Sequence, residues 1–200
     1  MLRFKLGRMK IGISIWFASF FAIILFVSDN SVLLYCLLAM ICHELGHFIV
    51  MLAAGCSVRG FYLLFGRLVI VPTRPISHSR HEILVLGGGI AANILCLLVF
   101  TFAGNVQAAL INLAIAAYNA LPAGELDGGA ILLGILSRRY LPKNAHTIHL
   151  VISFIVSLLL LTAGFLMLIR GYKNVTAIFS GIYIMAQSIK NMTWKRRIQA

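Results

Sequence analysis

The chain has 200 residues, of which 61% are hydrophobic and only 11% are charged, and its formal net charge at pH 7 is +12. So large a hydrophobic share excludes an ordinary soluble domain and indicates a membrane protein. The 17 Lys and Arg residues cluster at the ends of apolar runs and do not share a face with interleaved aromatic residues. The positive charge therefore does not predict nucleic-acid binding.

Apolar runs predict six transmembrane spans, each near the length of about 20 residues that a helix needs to cross a bilayer. The spans are expected at about 11–27, 31–54, 83–104, 107–136, 150–169 and 174–190. The fourth is long enough to be broken or tilted. Together they predict a single polytopic domain over 1–200, with the fold of an all-α membrane protein of six transmembrane helices. We expect no signal peptide.

The basic residues orient these spans. With six spans, the N-terminal tail, the loops after the second and fourth spans, and the C-terminal end all lie on one side of the membrane. These segments hold every Lys and Arg except Arg170 and Lys173. By the positive-inside rule, we expect a multi-pass protein of the cell membrane with both termini in the cytoplasm.

The loop after the second span contains a short apolar segment at about 61–71. It is too short to cross a bilayer, is rich in aromatic and β-branched residues, and is interrupted by Gly66-Arg67. Glycine supplies turn geometry and the flanks favour strands, so we expect a short membrane-associated β-hairpin on the cytoplasmic side. A peripheral helix is the alternative interpretation.

The second span contains the motif His43-Glu44-Leu45-Gly46-His47, in which Glu44 is the only charged residue between Ser31 and Gly55. Residues i and i+4 share one face of a helix, so both imidazoles can reach one zinc ion. Glu44 is close enough to act as a general base. A carboxylate at membrane depth is a functional hypothesis by default, since burying it in hydrocarbon is costly.

A catalytic zinc site normally has a third protein ligand. Of the five acidic residues, Asp29 and Glu82 lie in or beside loops, which leaves Glu125 and Asp127. His43 to His47 lie about 10–16 Å from the cytoplasmic end of their span, and Asp127 lies about 14 Å from the end of the fourth span. A helix break in this region is expected from Pro122, Gly124, Gly128 and Gly129, and such a break is tolerated where it lines a cavity.

The third span opens with Gly87-Gly88-Gly89 and continues to Asn93. Small residues let helices approach closely in lipid, and an asparagine can form a hydrogen bond across such a contact. We interpret both features as helix packing. The remaining histidines (His78, His81, His146 and His149) are expected to be solvated loop or interface residues.

The motif His43-Glu44-x-x-His47, followed by Asn119-x-x-Pro122 and Leu126-Asp127-Gly128-Gly129, resembles the site-2 protease family of intramembrane zinc metalloproteases. The resemblance runs from the second to the fourth span, and Gly89 to Asn93 are similar to an element that the family has between the two motifs. Six spans with a hairpin after the first motif resemble the compact branch that includes the bacterial sporulation factor protease. Ile90, Glu125 and Ala130 depart from the family's usual residues.

The resemblance implies a zinc metalloendopeptidase that holds one Zn²⁺ per chain on His43, His47 and Asp127. Glu44 would move the proton, and Asn119 is the candidate for steadying the scissile carbonyl, with a helix–helix hydrogen bond as its alternative role. The implied substrate is a single-pass transmembrane protein cut in or near its span, within the lipid bilayer, and a regulatory membrane protein is a further candidate partner.

A metal-ion or proton transporter that uses the same buried His, Glu and Asp side chains is the main alternative function. A transporter is expected to carry polar groups on both sides of the membrane midplane, often in repeated halves. In this sequence the polar groups cluster at one depth and no inverted repeat is visible, which favours the protease.

Overall fold

The computed structural model describes residues 2–6, 9–13, 31–56, 58–64, 67–72, 80–172 and 175–199. Its helices are Ser31–Ala53 (α1), Arg80–Phe102 (α2), Val106–Asn119 (α3), Asp127–Arg139 (α4), Pro142–Ile169 (α5) and Thr176–Gln199 (α6). Its strands are Leu2–Leu6 (β1), Met9–Ile13 (β2), Val58–Leu64 (β3) and Arg67–Pro72 (β4). The chain divides into two compact units, Met1–Ala116 and Ala117–Ala200, and the single domain remains a prediction.

The four strands form one sheet in the order β1-β2-β3-β4. β1 pairs antiparallel with β2, β2 pairs parallel with β3, and β3 pairs antiparallel with β4. The pair β3–β4 occupies the segment in which the sequence predicts a hairpin at about 61–71. Because β3 has a partner on each side, the edges of the described sheet are β1 and β4.

The six described helices bear out a mainly helical protein, while the two N-terminal strands add to the predicted hairpin and correct the start of the predicted first span. Residues 11–13 belong to β2 and pair with residues 61–63 of β3, so they do not begin a membrane helix. The overlooked signal is the alternation of apolar and basic residues in Leu2-Arg3-Phe4-Lys5-Leu6, which has the period of a strand. The rest of the predicted span, residues 14–27, lies outside the described residues.

Three described helices are long and apolar enough to cross a membrane: Ser31–Ala53, His81–Phe102 and Pro142–Ile169. The predicted fourth span, 107–136, consists of two helices, α3 and α4, with residues 120–126 between them. The predicted break is present, but Gly128 and Gly129 lie inside α4 and do not form part of it. The count of six spans remains a prediction.

Among the described residues, several polar side chains are buried and many large apolar side chains are exposed. Asn93 and Ser153 are 0% exposed, whereas Phe102 is 89% and Ile169 82% exposed. A lipid solvent favours this arrangement, since it accepts apolar surface and leaves polar groups to bond to one another. With the composition, the arrangement shows a membrane protein.

Small residues hold α1 and α2 close together. A Cβ added at Gly88 would lie 2.7 Å from the carbonyl oxygen of Gly46, and a Cβ added at Gly46 would collide with the Gly88 carbonyl. The two backbones are therefore in direct contact, which confirms the interpretation of this part of the glycine run as helix packing. This contact sets the register in which residues of α2 meet the histidines of α1.

Candidate metal centre

His43 and His47 lie one turn apart on α1 and turn their rings toward the same point. The ring centroids are 4.7 Å apart, and the two Nε2 atoms are separated by 3.1 Å. His43 is buried and His47 is half-buried. The spacing of four residues thus brings the two imidazoles together as the motif predicts.

The other ring nitrogen of each histidine is bonded to α2. The Nδ1–H of His43 donates to Oδ1 of Asn93 at 2.7 Å, and the Nδ1–H of His47 donates to the carbonyl oxygen of Val85 at 2.7 Å. A neutral imidazole that donates from Nδ1 carries its lone pair on Nε2. Both lone pairs therefore point toward the 3.1 Å gap, an arrangement that is repulsive unless a cation or a proton lies between them.

Gly89 provides the space that the two rings occupy. A Cβ at this position would lie 2.6 Å from Cε1 of His47 and 2.7 Å from Cε1 of His43, well inside ordinary contact distance. No side chain larger than hydrogen fits here while the rings keep their positions. Gly89 therefore serves the histidine pair directly, beyond the packing role that the sequence predicts for the glycine run.

Asp127 is the first residue of α4 and follows directly after the break. A Cβ at Gly128 would lie 2.7 Å from the Leu121 carbonyl oxygen, and a Cβ at Gly129 would lie 2.6 Å from that of Ala123. The two glycines therefore let the backbone of the loop fold against the start of the helix.

His43 and His47 supply two of the ligands that a catalytic metal ion needs, and Asp127 remains the predicted third ligand. Two nitrogens on a tetrahedral zinc ion at ordinary bond lengths lie about 3.3 Å apart. The two Nε2 atoms, at 3.1 Å, match that separation closely. Two imidazoles and a carboxylate also make a donor set typical of catalytic zinc, and the residues therefore fit the group.

Comparisons with known proteins bear on the fold and on the family resemblance. Residues 99–161 match the family described as "Peptidase family M50". The solved structure of a site-2 protease from Methanocaldococcus jannaschii superposes with a TM-score of 0.66 at 22% sequence identity, covering 94% of each chain. The chain has the fold of a site-2 protease. The sequence matches no curated protein.

The resemblance to site-2 proteases that the motifs indicate is thus confirmed. The segment matched to peptidase family M50 includes Asn119 and Asp127 but not His43 to His47. The family match therefore supports the second motif, whereas the first motif is supported by the geometry of the histidine pair. Neither comparison favours the transporter.

In this site-2 protease fold, Glu44 is half-buried on α1, and Asn119 is the last residue of α3. Asn119 and Asp127 therefore stand at opposite ends of the break. Glu125, the other candidate acid, is exposed, and its backbone N–H donates to Oε1 of Gln187 at 3.1 Å.

The same fold contains buried polar residues that the motifs do not reveal. Asn112 is 1% exposed in the middle of α3 and bonds to Asn93. His149 is 6% exposed, so the expectation that it is a solvated interface residue is wrong. Ser153 accepts the backbone N–H of Gly124 at 3.0 Å and so holds the loop before Asp127. An isolated polar residue in an apolar span was the available signal for Asn112 and Ser153.

Proposed function

We propose that this protein is an intramembrane zinc metalloprotease that hydrolyses a peptide bond in or near a transmembrane segment of a membrane-anchored protein. The observation that carries the proposal is the histidine pair, whose Nδ1 atoms are both bonded to α2 and whose Nε2 atoms converge at 3.1 Å. The site-2 protease fold supports the same activity.

In the proposed site, His43, His47 and Asp127 hold the zinc ion. When bound, zinc supplies the Lewis acidity that makes water nucleophilic near neutral pH. Glu44 then acts as general base, accepting a proton from the attacking water and delivering it to the amine that leaves. Asn119 has an amide N–H that can donate to the scissile carbonyl, and its position before the loop that precedes Asp127 suits this role.

The substrate has to lose its helical structure before cleavage. Every amide of a transmembrane helix is bonded internally, so the scissile carbonyl becomes accessible only when that segment unwinds and finds new hydrogen-bond partners. An exposed sheet edge provides such partners by accepting an added strand. β3 is occupied on both sides by β2 and β4, so the edge that we assign to the substrate is the outer edge of β4.

The sheet also supports the proposed orientation in the cell membrane. β2 and β3 are hydrogen-bonded to each other, so we expect the N-terminal segment and the segment after α1 to lie on the same side of the bilayer. An even number of crossings must separate them, as the two predicted spans provide. Both segments are basic, and the positive-inside rule then assigns them, with both termini, to the cytoplasm.

The test is a pair of isosteric substitutions, Glu44→Gln and Glu125→Gln. We expect Glu44→Gln to keep the metal ligands and therefore to copurify with zinc, but to lose cleavage because glutamine cannot accept the proton. Glu125→Gln should keep both zinc and cleavage, since Glu125 is exposed and is not one of the proposed zinc ligands.

Two readouts distinguish the variants: zinc per chain in purified protein, and comparative proteomics of membranes from the native host. A single-pass membrane protein should accumulate uncut with Glu44→Gln and not with Glu125→Gln. Cleavage that survives Glu44→Gln, or full activity in a zinc-free preparation, would refute the proposal.

A further inference from the structure

A series of buried amide side chains lies behind His43. The Nδ1–H of His43 donates to Oδ1 of Asn93 at 2.7 Å. Nδ2 of Asn93 donates to the Ala39 carbonyl and to Oδ1 of Asn112, both at 2.9 Å. Nδ2 of Asn112 donates to the Ala108 carbonyl at 2.9 Å. The series thus connects a ring nitrogen of α1, through α2, to the backbone of α3.

Each bond in this series has only one possible direction. A backbone carbonyl can only accept, so the Ala108 carbonyl requires Asn112 to turn its NH₂ toward it and its oxygen toward Asn93. That oxygen and the Ala39 carbonyl both require the NH₂ of Asn93. The remaining Asn93 oxygen faces His43, which must therefore donate from Nδ1.

Burial makes the alternative orientation costly. Asn93 is 0% and Asn112 1% exposed, so no solvent can satisfy an amide that is turned the wrong way. A flipped Asn93 would place its oxygen against two other oxygens and its NH₂ against His43. An unsatisfied buried polar group costs about 1–3 kcal/mol, so the correct orientation is strongly favoured.

We infer that Asn93 and Asn112 form an amide relay that holds His43 in the tautomer with its lone pair on Nε2, and that this raises the affinity of the site for zinc. Partners of this kind, behind a metal-bound histidine, set its tautomer and ring orientation. The inference rests on the proposed function, because it assigns His43 as a zinc ligand. Asn93 and Asn112 are positioning residues, since they act through His43 and do not touch the metal.

His47 shows why the relay can be tested. Its Nδ1–H donates directly to a backbone carbonyl, that of Val85, which no substitution removes. His43 depends instead on two side chains, each of which can be replaced by leucine, which keeps the branching at Cγ but cannot form hydrogen bonds. The two ligands thus differ in how easily their tautomers can be changed.

Asn105 provides a matched control. Its Nδ2 donates to the hydroxyl of Tyr35 on α1 at 2.9 Å, and its Oδ1 accepts the backbone N–H of Ala108 at 3.1 Å. Asn105→Leu removes a polar contact between α1 and the start of α3, together with the N-terminal cap of α3. It is matched to Asn112→Leu, which removes a polar contact between α2 and α3. Asn105→Leu leaves the bonds of the relay in place.

The experiment measures the zinc dissociation constant by chelator competition in detergent, and the thermal unfolding of the zinc-free protein. Asn93→Leu should weaken zinc binding about 10- to 100-fold, the usual effect of losing such a partner. Asn112→Leu should weaken it about threefold to tenfold, because the Ala39 carbonyl still orients Asn93 in part. Asn105→Leu should lower the unfolding temperature and leave zinc affinity unchanged.

A second readout needs no metal. ¹⁵N NMR of histidine-labelled, zinc-free protein, assigned by difference from His43→Gln, should show His43 protonated at Nδ1 in the wild type. In Asn112→Leu, part of the population should move to protonation at Nε2. This shift would not follow from a structural role alone.

The outcomes separate the two proposals. If the wild type binds no zinc, the proposed function and the relay both fail. If the wild type binds zinc and the Asn93 and Asn112 variants bind it as tightly as Asn105→Leu, the relay is refuted and the proposed function stands. If Asn93→Leu does not fold, Asn112→Leu decides the question by the same two measurements.

Discussion

Three consecutive glycines of α2 should respond to alanine in three different ways, since each faces different surroundings. A Cβ at Gly87 would meet nothing within 4 Å, and a Cβ at Gly88 would meet the backbone of Gly46 at 2.7 Å. A Cβ at Gly89 would meet the rings of His43 and His47. The series therefore separates helix propensity, helix packing and metal binding in one short segment.

The magnitude for Gly89→Ala follows from its contacts. The new Cβ would lie 2.7 Å from Cε1 of His43, whereas carbon atoms in contact normally lie about 3.5–4.0 Å apart. The rings must therefore retreat by about 1 Å, several times the tolerance of about 0.2 Å for ligand distances in a metal site. We expect zinc affinity to fall about 100-fold, or about 2.8 kcal/mol of binding free energy.

The other two variants complete the series. Gly88→Ala forces α1 and α2 apart, and the resulting overpacking should cost about 1–3 kcal/mol or more of unfolding free energy. Gly87→Ala should leave zinc affinity unchanged and unfolding temperature equal or slightly higher, because alanine favours helix more than glycine does.

Chelator competition in detergent measures zinc affinity, and thermal unfolding of the zinc-free protein measures stability. Gly89→Ala should differ from Gly87→Ala mainly in zinc affinity. Gly88→Ala should differ from it in both measurements, because separating α1 from α2 also moves Asn93 away from His43. Equal zinc affinity in Gly89→Ala and Gly87→Ala would show that the two imidazoles do not bind the metal from the positions described above.

Three further predictions concern the loop, the sheet and the metal. Gln187→Leu removes the acceptor for the backbone N–H of Glu125, and should cost about 1 kcal/mol of unfolding free energy while leaving the tautomers of the histidine pair unchanged in NMR. Proline at Val69 and at Ile70 should differ in effect, because adjacent residues of β4 point their N–H groups alternately toward β3 and toward the outer edge. The outward position should lose cleavage while its unfolding temperature changes little, and normal cleavage by both variants would eliminate β4 as the docking edge. Zinc at 100 times its dissociation constant should raise the unfolding free energy by about 2.7 kcal/mol, measured as a higher unfolding temperature, and the absence of a shift would contradict zinc binding to the folded state.

The histidine pair was predictable from sequence because it depends only on local geometry. His43 and His47 belong to one helix, and four-residue spacing places them on one face regardless of how that helix packs. The role of Asn93 was only half predictable. A buried amide in lipid must find a partner across a helix contact, but that the partner is His43 depends on the contact of Gly46 with Gly88, which no local pattern reveals.

The strands β1 and β2 show how one pattern can carry two meanings. The basic residues of the N-terminal tail predict which side of the membrane it occupies, while their alternation with apolar residues also predicts a strand. Because of this second meaning, residues 11–13 belong to β2 and not to the predicted first span. Gly128 and Gly129 illustrate the converse difficulty, since glycine is compatible with both a helix break and a close backbone contact, and only the nearby loop carbonyls distinguish the two.

The glycines and the single asparagine of α2 serve one purpose by different means. Lipid provides little hydrophobic force to press helices together, so α1 and α2 depend on backbone contact at Gly46 and Gly88 for their close approach. That approach brings Oδ1 of Asn93 to 2.7 Å from Nδ1 of His43. It also means that only glycine fits at position 89, where any side chain would meet both imidazole rings. The positions of the two imidazoles therefore follow from the distance between two backbones, and a substitution that separates the helices should loosen the metal site even when it lies far from any ligand.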